Sequence, residues 1–254
     1  MCPSDAADPA TELVDRGAPS PPADPALIDD LVLANRILFR HRVVDAFGHV
    51  SVRHPASPER FLLARNMAPG NVTAADLVEF DLDGHPVTAA GRKVYLERFI
   101  HSAIYKARPD VMSIVHSHAH ATVPFGVVSQ AALRPIWHMS WFLAEKTPVF
   151  EISDAVGDGS DMLIRTAALG DALAASLGAG SVVLMRGHGA TAVGPSLRHA
   201  VYHAVYLQLN AELQLKTAVL GEARYLSPAE VAAARVSVGS QLDRAWNLWA
   251  SEVA

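Results

Sequence analysis

Asp110-Val111-Met112-Ser113-Ile114-Val115-His116-Ser117-His118-Ala119-His120 is the stretch from which the fold of this chain is read. Residues 110–115 form an apolar run suited to a buried strand, and the histidines follow where such a strand ends. Alternate side chains on a strand point the same way, about 6–7 Å apart. His116 and His118 are therefore expected to hold one ion between their rings. A second apolar run, Ser181-Val182-Val183-Leu184-Met185, leads into Arg186-Gly187-His188-Gly189, a glycine-flanked turn that carries a third imidazole. Three imidazoles converging from two strands make an open metal site, with coordination positions left for a substrate.

Working outward, strands and helices alternate. Apolar spacing predicts a first helix over residues 25–38. Residues 47–53 and 60–65 read as two short strands joined by a proline-rich hairpin, and residues 78–82 as a strand running into an Asp83-Gly84 turn. Residues 96–107 read as a helix stopped by Pro109, which delivers the chain to the His116 strand. The second half repeats the pattern, with helices over 163–177 and 196–220 on either side of the His188 strand. Ser227-Pro228-Ala229-Glu230 has the capping-box pattern that starts a final helix. The expected fold class is α/β, with helices covering both faces of a central mixed or mainly antiparallel sheet, in a single domain over residues 26–254. Residues 1–25 are rich in Pro, Ala, Asp and Ser and are expected to form a disordered leader.

Composition narrows the function. A net charge of -5 with no Lys/Arg cluster gives no reason to expect nucleic acid or an anionic membrane surface. No apolar run approaches the ~20 residues needed to span a bilayer, and the N-terminus lacks the basic and apolar regions of a secretory signal. The lone cysteine, Cys2, leaves no disulfide and no thiolate ligand set, so a reducing cytoplasmic setting is expected. Glu97, at the start of the helix that feeds the His116 strand, is placed to complete the coordination sphere or to shuttle a proton. His101 lies one turn further on the same face and reads as a packed or supporting histidine.

Glu97, then His116-Ser117-His118, then Gly187-His188-Gly189, resemble the signature of the class II aldolase/adducin family. The framing segments agree: Gly48-His49-Val50-Ser51-Val52-Arg53, Leu82-Asp83-Gly84, and Ile104-Tyr105-Lys106-Ala107-Arg108-Pro109-Asp110. The resemblance runs from about residue 27 to 220. It implies a three-layer α/β/α fold, a homotetramer, and a divalent ion held by His116, His118, His188 and often Glu97. Mn2+ or Zn2+ is expected, with Fe2+ or Co2+ also compatible. The ion's role in the family is to stabilise an enolate while a carbon–carbon bond breaks.

Departures from the sugar-phosphate aldolases of that family carry the next step. Where those enzymes have Gly-Asn-Val-Ser, a small polar loop and Ser-Ser before the Glu, this chain has His49, residues 64–69 (Ala-Arg-Asn-Met-Ala-Pro), and Tyr95-Leu96. Tyr and Leu do not replace two hydroxyl donors around a phosphate dianion. The changes are similar to those in the family's aromatic-acid decarboxylases, which act on a hydroxy-methylpyridine-dicarboxylate or on dihydroxyphthalate. The resemblance implies an aromatic carboxylate substrate, with Arg65, His49 and Arg186 as candidates to receive it. His138 stands where the family's fuculose-phosphate aldolases carry an acidic Tyr that serves a neighbouring subunit, so His138 is the expected proton donor, close to Trp137 and Trp141 at an interface. Three rivals remain at this point: aldol cleavage of an unphosphorylated hydroxy-ketone or hydroxy-acid, an adducin-like interaction module without chemistry, and an oxygenase using the three-histidine site.

Overall fold

The computed structural model describes residues 14–157 and 159–253. A first helix, α1 (Pro25–Arg40), is opened by Asp24, whose side chain accepts from the Ala26 amide, and by Pro25 at the first helical position. Strands β1 (His49–Arg53), β2 (Arg60–Ala64) and β3 (Leu77–Asp81) form an antiparallel meander. Then come α2 (Arg98–Ala107), β4 (Ser113–Ser117), the short α3 (Val123–Val127), β5 (Val149–Phe150) and the short α4 (Ser153–Val156). The chain closes with α5 (Ala167–Leu177), β6 (Val182–Met185), β7 (Gly189–Gly194), α6 (Leu197–Leu220), α7 (Pro228–Gly239) and α8 (Leu242–Val253).

The strands make one seven-stranded sheet in the order β3-β2-β1-β4-β7-β6-β5, antiparallel at every junction except β5–β6. Alternation along the strands sends side chains into two separate cores. Val182 and Leu184 pack with Val115 and with Leu31, Ala200 and Trp246 of α1, α6 and α8. Val183 and Met185 pack on the opposite face with Ile114 and with Ile100, Ile104 and Leu173 of α2 and α5. The expected α/β/α layering and mainly antiparallel sheet are both present. Among the described residues, no helix is long and apolar enough to cross a membrane.

Four details differ from the sequence reading. Residues 163–166 are not helical; Thr166 caps α5 instead, accepting from the Leu169 amide. The C-terminal helical region is two helices, with the first ending at Gly239. Trp141, expected at an interface, is buried against Phe142 and His203 of its own chain. The leader assigned to residues 1–25 is held down over its described part, while residues 1–13 lie outside the described residues. Asp15 accepts from the amides of Ala89 and Ala90 at 2.7 and 2.9 Å, and Ser20 Oγ donates to Glu79 at 2.6 Å. Composition alone missed this, because the anchoring is polar: backbone amides beside the sheet edge and the buried Glu79 carboxylate both need partners.

Candidate metal centre

His116 is the fourth residue of β4, fully buried, opposite His49 of β1 on one side and Thr191 of β7 on the other. His118 lies one residue past the end of β4, and its ring meets that of His116 at one point as the alternation predicts. His188 sits in the tight turn joining β6 to β7, where Met185 pairs with Gly189. Two glycines set that turn. Gly187 has φ +64°, a left-handed conformation that side chains disfavour. A Cβ on Gly189 would stand 2.1 Å from the Ser117 carbonyl oxygen, so only glycine lets β7 approach β4 closely enough to set His188 beside His118. Glu97 is the N-cap of α2, yet its side chain makes no capping bond. It turns inward instead: Oε1 accepts from the Ile164 amide at 3.0 Å, and Oε2 faces the histidines.

The four side chains form a tight cluster with all donor atoms within 4.8 Å of one another. Nε2 of His118 lies 3.2 Å from Nε2 of His116 and 2.9 Å from Nε2 of His188. Oε2 of Glu97 is 3.5 Å from Nε2 of both His116 and His188. Ligand atoms about 2.0–2.1 Å from an ion stand about 3.3 Å apart around a tetrahedron and about 2.9 Å apart at the adjacent corners of an octahedron. The four edges between neighbouring donors, at 2.9, 3.2 and twice 3.5 Å, lie in or just beyond that range. The outer ring nitrogens fix the tautomers in the same sense. His188 Nδ1 donates to the Met162 carbonyl at 2.8 Å. Thr191 Oγ1 donates to Met185 Sδ, which leaves its oxygen to accept from His116 Nδ1 at 3.4 Å. Both Nε2 lone pairs then point at the centre, as in metal-binding histidines whose second nitrogen is held by the protein. Three nitrogens with one carboxylate suit a divalent cation and fit the ion the resemblance implies.

Protonation follows from burial and neighbours. Burial opposes ionisation of Glu97, but hydrogen bonding and charge from His116 and His188 hold its carboxyl below the usual range. Burial lowers His116, and burial with the adjacent rings brings His118 down to about 4. His188 goes the other way: burial lowers it, and the Glu97 carboxylate more than compensates. At neutral pH His116 and His118 are thus unprotonated and available as ligands.

The cluster opens on a cavity of about 440 Å3 whose walls include Phe47, His49, Met67, Tyr95, Glu97 and His118. The Tyr95 hydroxyl is spent on the Met67 carbonyl at 2.5 Å, and burial pushes its pKa up to about 12. His49 is buried in the cavity wall with its ring centroid 5.1 Å from that of His116. The other sequence candidates are placed elsewhere. Arg65 follows β2 beside the wall residue Asn66, but its Nε donates to Asp76 at 2.7 Å. Arg186 is paired with Glu151, Nη2 to Oε1 at 2.8 Å, and does not line the cavity. His138 opens a short turn in a different cleft, with Tyr202, Tyr206 and Trp249. Within one chain it is not gathered with the ligands. Residues the sequence did not single out include Met162 and Thr191, which hold the outer nitrogens of His188 and His116, Ser51, which meets His101 behind His49, and Tyr105, which meets Ser51. Such partners carry no spacing signal because they come from elements brought together only by the sheet.

The class II aldolase and adducin N-terminal domain model matches residues 29–215. The chain is 40% identical over 240 residues to decarboxylase tropJ of Talaromyces stipitatus, covering 85% of this chain and 90% of that protein. It is 31% identical over 235 residues to the 3,4-dihydroxyphthalate decarboxylase of Terrabacter sp., covering 87% and 93%. Among solved structures, an aldolase II superfamily protein from Pseudomonas syringae superposes with a TM-score of 0.74 at 24% identity, over 92% of this chain and 94% of that one. A family match across most of the chain and a sheet that carries Glu97, His116, His118 and His188 to one point lead to one assignment: the chain belongs to the class II aldolase and adducin N-terminal domain family.

Proposed function

We propose that this protein is a divalent-metal-dependent carboxy-lyase that removes CO2 from a hydroxylated aromatic or heteroaromatic dicarboxylate. The observation that carries the reading is the wall of the site. The ligand cluster is intact, while the cavity beside it presents Phe47, Met67 and a Tyr95 whose hydroxyl is already used. Such a wall suits a flat ring and offers no hydroxyl cradle for a phosphate. Two decarboxylases among the relatives support the carboxy-lyase assignment, and the four-residue cluster argues against a purely structural module.

His116, His118, His188 and Glu97 would hold the ion, Mn2+ or Zn2+ being the leading choices. Bound there, it supplies Lewis-acid charge to the oxyanion that develops as CO2 leaves. The rest falls to the chain. Phe47 and Tyr95 cover the ring and exclude water. His49, in the cavity wall, receives a carboxylate. The bond from ring carbon to carboxyl carbon breaks, its electron pair passes into the ring, and a proton must reach the vacated carbon. Glu97 Oε2 faces the reacting region, and His138 of a neighbouring copy in a homotetramer is the proposed donor, its cleft being aromatic and remote from its own chain's ligands. A reducing cytoplasm suits a chain whose one cysteine is Cys2.

The test is elemental analysis of the purified protein, followed by a CO2-release screen of hydroxylated phthalates and pyridine dicarboxylates. Sugar phosphates and their unphosphorylated analogues run in parallel. Bound metal with CO2 release is expected. Efficient cleavage of a sugar phosphate to an aldehyde overturns the reading.

A further inference from the structure

Behind the cavity, four side chains outside the ligand cluster form one continuous hydrogen-bonded chain. Tyr105 Oη and Ser51 Oγ are 2.8 Å apart, Ser51 Oγ and His101 Nδ1 2.6 Å, and His101 Nε2 and His49 Nδ1 2.6 Å. All four are buried, His49 most nearly reaching the surface at 3% exposure. A core does not need such a string, and burying it is unfavourable unless every donor and acceptor is matched.

Counting protons along the string leaves one arrangement in which each group has a partner. The Tyr105 hydroxyl meets no acceptor besides Ser51 among the described residues, so it donates to Ser51. Ser51 then passes its own proton to His101 Nδ1. A His101 that accepts at Nδ1 carries its proton on Nε2 and gives it to His49 Nδ1. His49 is left with its proton on Nε2, which makes no hydrogen bond among the described residues, in a ring that lines the cavity. The opposite direction aims the Tyr105 proton into a closed core.

We propose that Tyr105, Ser51 and His101 are positioning residues that hold His49 in its Nε2–H form, so that the cavity receives a neutral N–H donor at that wall. The inference rests on the reading of this cavity as the substrate site. It has three consequences. His49 stays out of the ligand set although it lies beside His116, because its lone pair is occupied by His101. The substrate group against it is a hydrogen-bond acceptor, a carboxylate or phenolate oxygen, and an ammonium or amide donor in that place is rejected. The string also ends at Tyr105, beneath the Arg53 guanidinium at 4.7 Å and without an outlet, so it orients His49 and supplies no net proton to the reaction.

The tautomer is directly measurable. Protein carrying 15N-labelled histidine and loaded with Zn2+, which is diamagnetic, gives long-range proton–nitrogen spectra that separate protonated from bare ring nitrogens. His49 is identified by the signal lost in His49→Gln. The proposal expects the proton on Nε2 in the wild-type protein. It expects both tautomers in the Ser51→Ala/Tyr105→Phe double variant, with about tenfold weaker binding of phthalate and unchanged zinc content. Tyr105→Phe alone, which loses only a hydroxyl, serves if the double variant does not fold, and is expected to weaken phthalate in the same direction. A wild-type His49 protonated on Nδ1, or variants that bind phthalate as tightly as the wild type, overturns the proposal. If phthalate fails to bind the wild-type protein, the substrate reading falls, while the tautomer still decides this inference by itself.

Discussion

Replacing Gly189 by alanine adds one methyl group at the seam between β4 and β7, whose ends adjoin His118 and His188. Its Cβ would sit 2.1 Å from the Ser117 carbonyl oxygen, 3.0 Å from the Ser117 carbonyl carbon and 3.1 Å from His118 Cα. A carbon–oxygen contact relaxes at about 3.3–3.6 Å, so β7 and the end of β4 must separate by more than about 1 Å. Metal–ligand distances tolerate about ±0.2 Å. The displacement falls on His118 and on His188, the residue immediately before Gly189, whose Nε2 atoms are 2.9 Å apart in the native chain. Gly189→Ala is therefore expected to lower metal affinity by about 100-fold, at the upper end of what disturbing the support of a ligand does. Overpacking should cost about 1–3 kcal/mol of stability in the metal-free protein as well. The assay pairs calorimetric titration of metal-free protein with Zn2+ and thermal unfolding with and without the metal. Gly239→Ala is the control, because its Cβ meets Trp141 at an ordinary 3.5 Å. Wild-type zinc affinity in Gly189→Ala would show that the strand approach does not set the site.

Alanine at His116, His118 or His188 should empty the site while the fold persists, since each removes one of four donors and the two cores lie apart from it; full metal occupancy in any of the three, by elemental analysis, refutes the ligand set. The His188 pKa is raised above 6.5 by Glu97, so in metal-free protein that pair contributes stability below pH 6.5 and loses it as pH rises through the raised value. Metal binding has the opposite sign: the ion displaces the His188 proton, so Zn2+ affinity should fall about tenfold per pH unit below the raised value, and an affinity flat between about pH 5 and 7 contradicts this. Asp15→Ala removes the carboxylate from the Ala89 and Ala90 amides, whose bonds to it are part-buried and exposed, a loss of about 1 kcal/mol, and should open residues 14–24 to proteolysis; unchanged cleavage kinetics would show the segment is held by other contacts.

What could be read from the sequence was whatever local pattern dictates. The apolar runs before His116 and His188, the Asp83-Gly84 turn and the Ser227–Glu230 capping box each appear in the structure. Strand β7 was not anticipated, although it is buried along its length at the centre of the sheet between β4 and β6. Gly189-Ala190-Thr191-Ala192-Val193-Gly194 has weak strand propensity, and its small side chains are there for the close approach that propensity does not see. The convergence of Glu97, His116, His118 and His188 was legible because the family resemblance marks them and the two strand ends present the histidines. The arginines were not: nothing local shows that Arg186 faces Glu151 or that Arg65 has Asp76 at its Nε. His101 was recognisable as one turn from Glu97, but its tie to His49 depends on β1 lying next to β4.

The distance along the chain between the candidate ligands would make a bound ion a timer of folding. His118 and His188 are 70 residues apart, and they meet only once β7 has docked against β4 in register. That long loop must close before a chelating set exists, and such pairings form slowly compared with helices and neighbouring hairpins. Zinc present during refolding from denaturant should leave the early, helix-forming phase unchanged and be captured at the rate of the last one. A zinc-sensitive dye competing for the ion would thus follow completion of the central sheet in real time.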